Sequence, residues 1–177
     1  MKIEDLYFIR LNKEKETIHF DCGDNDLNEF IRKDAWAYQQ ELLSVTYLFE
    51  DKQGNVLAFF SVSNDLLKDQ DFEKWNNLSR KLPNRKRRKE YPSVKIGRLG
   101  VSLNCIGKNV GTQIMIFIKN WFTSENKTGC RFLLVDAYNK SEVINFYQKN
   151  EFVLLTEKDK ERKTRLMYFD LIRMTTQ

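Results

Sequence analysis

Residues 94–112, Val-Lys-Ile-Gly-Arg-Leu-Gly-Val-Ser-Leu-Asn-Cys-Ile-Gly-Lys-Asn-Val-Gly-Thr, read as an apolar strand running into a glycine-containing loop that opens onto an amphipathic helix. This order constrains the fold strongly, because it fixes where a sheet ends and which helix covers it. A helix start carries unpaired backbone N–H groups and the positive end of the helix dipole, and Gly107 and Gly111 let the backbone approach a bound anion. The ligand that suits this design is phosphorylated, although two glycines before a helix also serve as an ordinary strand-to-helix turn. Val110, Ile114, Phe117, Ile118 and Trp121 recur at i, i+4, i+7, i+8 and i+11 and predict a helix with one apolar stripe packed on a sheet.

Downstream, residues 131–137 (Arg-Phe-Leu-Leu-Val-Asp-Ala) form a continuous apolar run of strand length, which suits a strand covered on both faces. A second helix follows. Asn139 or Ser141 can cap it, Glu142 lies three residues after Asn139 as in a capping box, and Val143, Phe146 and Tyr147 share a face. A short strand over 152–155 comes next. In the first half the pattern predicts a strand over 5–11, a helix over 25–40 capped by Asp24, and strands over 44–50 and 55–63. The turn 51–55, with Gly54 for positive φ, joins the last two as a hairpin, and the alternation of Val45, Tyr47 and Phe49 predicts a half-buried antiparallel pair. Residues 164–171 supply a final strand.

Three stretches carry a resemblance to a known family: Gly97-Arg98-Leu99-Gly100-Val101, the loop from Ile106 to Gly111, and Asn139 followed by residues 145–152. They resemble the GNAT superfamily of acyl-CoA-dependent N-acyltransferases. Phe20-Asp21-Cys22-Gly23 with Leu27, Phe30, Ile31 and Ala35 is similar to the opening of a subgroup that includes toxin-type acetyltransferases. Ile106 stands where the family has Gln or Arg and loses at most a side-chain polar contact. Asn109 and Asn150 are read at positions where the family has Gly, and Asn is the next-best residue for a left-handed backbone.

The resemblance implies an α/β (α+β) chain with the GNAT fold: a mixed, mostly antiparallel twisted sheet of six to seven strands flanked by helices, with a splayed strand pair holding acyl-CoA. It implies one domain over residues 1–177 with a basic insertion at about 65–92. The implied co-substrate is acetyl-CoA, against Leu99, Gly100, Val101, Ile106, Gly107, Lys108, Asn109, Val110, Gly111, Thr112, Asn139 and Phe146, with no metal. The implied reaction is direct attack of a primary amine on the thioester. A backbone N–H near Gly100 is the oxyanion donor and Tyr147 the acid for the leaving sulfur. Spacing alone makes Tyr147 a core aromatic and Asn139 a helix cap. The acceptor stays open among a small molecule, a protein amine and aminoacyl-tRNA, as do a homodimer and an antitoxin partner. The general base stays unassigned among Glu29, Asp34, Glu41 and Asp136, and Arg98 is read as a surface residue.

The 177 residues, 41% hydrophobic, suit one compact domain. No 18-residue apolar run occurs, and acids in the first five residues do not fit a secretory signal, so the expected location is cytoplasmic and away from membranes. Cys22, Cys105 and Cys130 lack metal-site spacing and are expected to be free thiols; helix N–H groups near Cys105 offer a way to lower its pKa. His19, the sole histidine, is read as structural. Residues 80–90 hold seven bases and one acid; without them 30 Lys+Arg against 25 Asp+Glu become 23 against 24, and the charge falls from +5 to −1. That tract is a solvated loop, an RNA contact or a neutraliser of coenzyme A. Trp75 and Tyr91 can anchor it to the core, while Trp36, Trp75 and Phe72 are core residues or interface aromatics. Two readings of another class remain: a catalytically silent acyl-CoA-binding fold, and an RNA-binding module built on residues 80–89.

Overall fold

The computed structural model describes residues 1–15, 17, 19–68, 89–124, 126 and 128–175. Phe72, Trp75 and the bases from Arg80 to Arg88 lie outside the described residues; Lys89, at the end of the basic tract, is exposed. Seven strands form one sheet in the order β1-β2-β3-β4-β5-β7-β6: β1 Tyr7–Arg10, β2 Val45–Glu50, β3 Val56–Lys68, β4 Glu90–Val101, β5 Phe132–Tyr138, β6 Val153–Leu154 and β7 Thr164–Asp170. The β1/β2, β2/β3, β5/β7 and β6/β7 pairs are antiparallel. A helix, α3 (Val110–Thr123), connects the sheet neighbours β4 and β5, and this crossover makes the sheet mixed. The residues group into two compact units, Met1–Ser63 with Ile96–Phe117, and Asn64–Lys95 with Ile118–Gln177.

In the first unit Asp24 starts the expected helix by accepting the Leu27 N–H at 3.1 Å. The run is not one regular helix: α1 (Asn25–Glu29) passes through a π-turn (Phe30–Asp34) into α2 (Ala35–Gln40). The Thr17 hydroxyl donates to the Ile31 carbonyl at 2.9 Å beside the widened turn. Phe30, Ile31 and Ala35 pack with Leu11, Phe20, Leu48 and Phe59 on one face of the sheet. On the other face Phe8, Phe49, Phe60 and Phe117 make a cluster of rings, with Phe8 4.7 Å and Phe49 5.3 Å from Phe117. Covering both faces corrects the half-buried hairpin: Val45 and Tyr47 are partly exposed, while Thr46 and Leu48, on the supposed outer face, are wholly buried. The Phe20-Asp21-Cys22-Gly23 opening is a polar knot. Asn28 is buried, accepts from Cys22 N–H and donates to Asp21, whose carboxylate also takes the Gly23 N–H; these bonds, the Gly23 one first, hold the Asp21 carboxyl below its usual range.

In the second unit Phe132, Leu133, Leu134 and Val135 are all buried, as their continuous apolar run requires. Phe132 and Leu134 pack with Leu67, Tyr91 and Leu155, so Tyr91 is a core residue. Arg131 clamps the β5/β7 pair through two bonds to Asp170, 2.5 and 3.0 Å. The second expected helix is α4, Ser141–Lys149, and its predicted cap is corrected: the cap position is Lys140, with no side-chain cap bond. Asn139 is engaged elsewhere, and Ser141 faces Glu142 at 3.2 Å.

Gly100 is buried because of one close approach. A Cβ there would enter the ring of Phe59, which itself packs on Phe20 and Phe30. Gly100→Ala should therefore cost about 1–3 kcal/mol by overpacking, read as a lowered urea midpoint. In a Phe59→Leu background the same step should cost less than half as much; equal costs in both backgrounds would refute the contact.

Candidate functional site

β4 is irregular where the family resemblance puts the cofactor strand. The Cβ direction of Gly97 meets Ser61 and that of Gly100 meets Phe59, two residues that share a face of β3. Glycines three apart cannot share a face in a strand of period two, so an extra residue intervenes. Arg98 marks the place. Its guanidinium lies 5.2 Å over Phe30, on that same side, its Nε is 3.7 Å from Asp26, and an Nη donates to Gly97 O at 3.0 Å. Arg98 is thus a half-buried stacking residue rather than the surface residue expected. Leu99 and Val101 are half-buried, and Ser102 N–H returns to Leu57 O at 2.8 Å.

The loop then turns through Leu103–Cys105 in a single 310 turn, and the Leu103 N–H is tied to Asp21 O at 2.9 Å. Gly107 takes φ +75° with open space where a Cβ would stand, and Asn109 takes φ +56°, the left-handed conformation for which Asn was read as a substitute. Ile106 is exposed, as are Lys108 and Asn109, and Lys108 Nζ donates to Asn104 O. Helix geometry leaves the N–H groups of Val110, Gly111 and Thr112 without a carbonyl one turn back inside α3, and no acid stands in its first turn. Gln113 holds this start: its amide N–H groups reach Lys108 O, Asn109 O and Met1 O, and its Oε1 accepts the Ile3 N–H at 2.8 Å. Cys105 is buried, and desolvation pushes its thiol up despite Lys108, the reverse of an activated cysteine.

In the second unit Tyr147 sits on α4 between the rings of Phe146 and Phe152, 5.1 and 5.6 Å away, with 9% of its surface exposed. Desolvation pushes its phenol from 10.0 up to about 12. Phe146 is half-buried. The end of α4 corrects the reading of Asn150, which has φ −91°; the left-handed residue is Glu151, φ +64°. Glu151 N–H donates to Gln148 O and Phe152 N–H to Tyr147 O, the two bonds of a Schellman motif. Lys119, buried in α3, donates to Asn150 O at 2.7 Å, stands 4.0 Å over the Phe169 ring and lies 3.7 Å from Glu151; burial lowers its pKa.

Asn139 is a brace and not a cap. Its N–H donates to Lys163 O at 2.9 Å, and its amide to Lys160 O and Arg162 O at 2.8 and 3.0 Å, so only Oδ1 is left to face a ligand. Of the base candidates, Asp136 forms an ion pair with Lys95, Glu29 pairs with Lys33 at 2.8 Å, and Asp34 and Glu41 are exposed. His19 is exposed. Among the described residues no three of His, Cys, Asp and Glu gather as metal ligands, and no helix is long and apolar enough to cross a membrane.

No family model matches the sequence. Solved structures do. AtaT in complex with acetyl-methionyl-tRNAfMet superposes with a TM-score of 0.81 and 19% identity, over 97% of this chain and 98% of that one. AtaTR bound with acetyl-CoA gives 0.78 and 19%, over 98% of each chain. A tyrosine-to-phenylalanine mutant of KacT gives 0.79 and 17%, over 97% and 98%. The chain has the GNAT fold. What is shared with these GNAT structures is the backbone path; at 17–19% identity the side chains described above are this chain's own.

Tyr147 sets a pH dependence of stability. Its folded pKa lies above the unfolded value, so the native state keeps a proton that the unfolded chain loses, and the contribution is whole below pH 10 and lost as pH rises toward 12. Urea unfolding between pH 9 and 11.5 should show stability falling more steeply in the parent than in Tyr147→Phe. Parallel slopes would mean the phenol is not buried in solution.

Proposed function

We propose that this protein is an acetyl-CoA-dependent N-acetyltransferase whose acceptor is the α-amino group of an aminoacyl-tRNA. The observation that carries the reading is the superposition, over nearly the full length of both chains, on AtaT holding an acetylated aminoacyl-tRNA. The residues fit the co-substrate. Gly107, with open space at its Cβ, and Asn109 leave the start of α3 accessible, and an acid-free first turn suits a pyrophosphate.

Acetyl-CoA supplies an acetyl group activated as a thioester. The chain's own residues then have three tasks. Backbone N–H groups at the start of α3 hold the pyrophosphate. A backbone N–H near Gly100 donates to the oxygen on which negative charge develops. Tyr147 gives its phenolic proton to the departing sulfur as the C–N bond forms and the C–S bond breaks, and the proton that the nitrogen sheds on becoming an amide passes through solvent and restores the phenol; burial keeps the phenol protonated at neutral pH. An α-amino group titrates near about 8, so a useful fraction of the acceptor arrives neutral and no side-chain base is needed. AtaT is also solved with its antitoxin AtaR, and an antitoxin partner belongs to this reading.

Gly107→Asp and Gly107→Asn differ only in charge, and both residue types tolerate a left-handed φ. By calorimetry the Asp variant should bind acetyl-CoA at least tenfold more weakly, and the Asn variant as the parent does. Tyr147→Phe should keep acetyl-CoA affinity and lose about 100-fold in kcat on aminoacyl-tRNA; AtaT with a tyrosine changed to phenylalanine is itself solved with acetyl-CoA bound. A parent protein that does not bind acetyl-CoA sinks the proposal.

A further inference from the structure

We infer that the loop between β6 and β7, residues 155–163, together with Lys140, is a surface that binds the phosphodiester backbone of the acceptor RNA; the inference rests on the function proposed above. In sequence this loop, Leu-Thr-Glu-Lys-Asp-Lys-Glu-Arg-Lys, reads as nearly neutral. The fold sorts its charges. Asp159 is buried, accepting Arg165 Nε at 2.6 Å and the Leu166 N–H at 2.7 Å, and Glu157 is 3.4 Å from the same buried guanidinium. The inward cation thus takes Asp159 out of the surface and draws Glu157 toward it. Lys158, Lys160, Arg162 and Lys163 are left exposed, and no ion pair engages them among the described residues.

Lys140, next to Asn139 in sequence, is a fifth cation. The bonds of Asn139 to the carbonyls of Lys160, Arg162 and Lys163 hold the backbone just before Lys140 beside the loop. Three acids oppose these five charges: Glu161, Glu142, which accepts from the Ser141 hydroxyl, and Glu157, whose side chain stays 66% exposed because Asp159 already balances the single charge of Arg165. Beside the cations stands Tyr138, 36% exposed, with Lys140 Nζ 5.8 Å from its ring centroid. Separated cations next to an accessible aromatic suit a nucleotide chain, which offers repeated phosphates and faces to stack. A single pyrophosphate would use one of them. The brace by Asn139 and the Asp159–Arg165 pair fixes the loop backbone beforehand, so binding does not have to order it. Six residues at 1.5 Å rise put the start of α4 about 9 Å along the helix from Tyr147, close enough to hold an RNA whose acylated end reacts.

The test compares two variants, Lys158→Gln/Lys160→Gln/Arg162→Gln/Lys163→Gln and Lys158→Arg/Lys160→Arg/Lys163→Arg. Binding of unacylated tRNA is followed by fluorescence anisotropy from 50 to 300 mM KCl, and acetyl-CoA binding by calorimetry. The Gln variant should bind tRNA at least tenfold more weakly at 100 mM, with a salt slope shallower by roughly 0.7–0.9 for each phosphate that is no longer neutralised. The Arg variant should match the parent, and acetyl-CoA affinity should not change. An unchanged tRNA affinity and slope in the Gln variant overturns the inference, as does a parent that binds no tRNA, an equal loss in the Arg variant, or a loss of acetyl-CoA affinity instead. Because unacylated tRNA needs no turnover, a protein that binds RNA here and acetylates another amine would sink the proposed function and leave this surface standing.

Discussion

The ring of Phe59 lies against the backbone of Gly100, and the first unit is organised around that approach. On one side the ring meets Phe20 and Phe30, which come from the segment before α1 and from the π-turn after it. On the other it allows no Cβ on β4. Dense packing transmits such a constraint, since neither an aromatic ring nor a strand backbone yields by tenths of an ångström. The irregularity between Gly97 and Gly100, the stacking of Arg98 on Phe30 and the return of Ser102 to Leu57 all lie within a few residues of this contact. The glycine-bearing loop begins where they end.

The second unit depends on how α4 stops. A Schellman turn with a glutamate in the left-handed position is costly for a residue with a Cβ, and its partners offset that cost. Arg173 donates to the Glu151 carboxylate at 2.7 Å, and Lys119 lies near it while capping the Asn150 carbonyl. The buried ammonium over Phe169 is therefore the cation expected at a helix C-terminus, brought from a neighbouring helix instead of the last turn. With its end fixed, α4 holds the Tyr147 ring between two others, and the surroundings that bury the phenol keep it protonated.

Much of the fold was legible because it rests on local periodicity and turn chemistry. The stripe from Val110 to Trp121, the apolar run of β5, the cap at Asp24 and the turn at Gly54 are each written in a few consecutive residues. What was not legible needs partners far away in sequence. Asn139 looks like a cap until the carbonyls of residues 160, 162 and 163 arrive to engage it. Arg98 looks exposed until a strand irregularity turns it onto Phe30. The hairpin looks one-sided because a period of two does not reveal that both faces will be covered. In the candidate site the loop could be read, including its tolerance for Asn109, whereas the left-handed position after α4 was placed one residue early. The glycine spacing at 97 and 100 was the one visible sign of the irregular strand.

Gln113 joins two segments that the sequence keeps more than a hundred residues apart. One amide holds Met1 O and Ile3 N–H and also the carbonyls of Lys108 and Asn109, the last turn before α3. The order of the chain's first residues and the order of the helix start thus share a side chain, which makes them thermodynamically linked. Linkage is reciprocal: whatever steadies the loop also steadies Met1–Ile3, and a change at the first residues is felt in the order of the helix start.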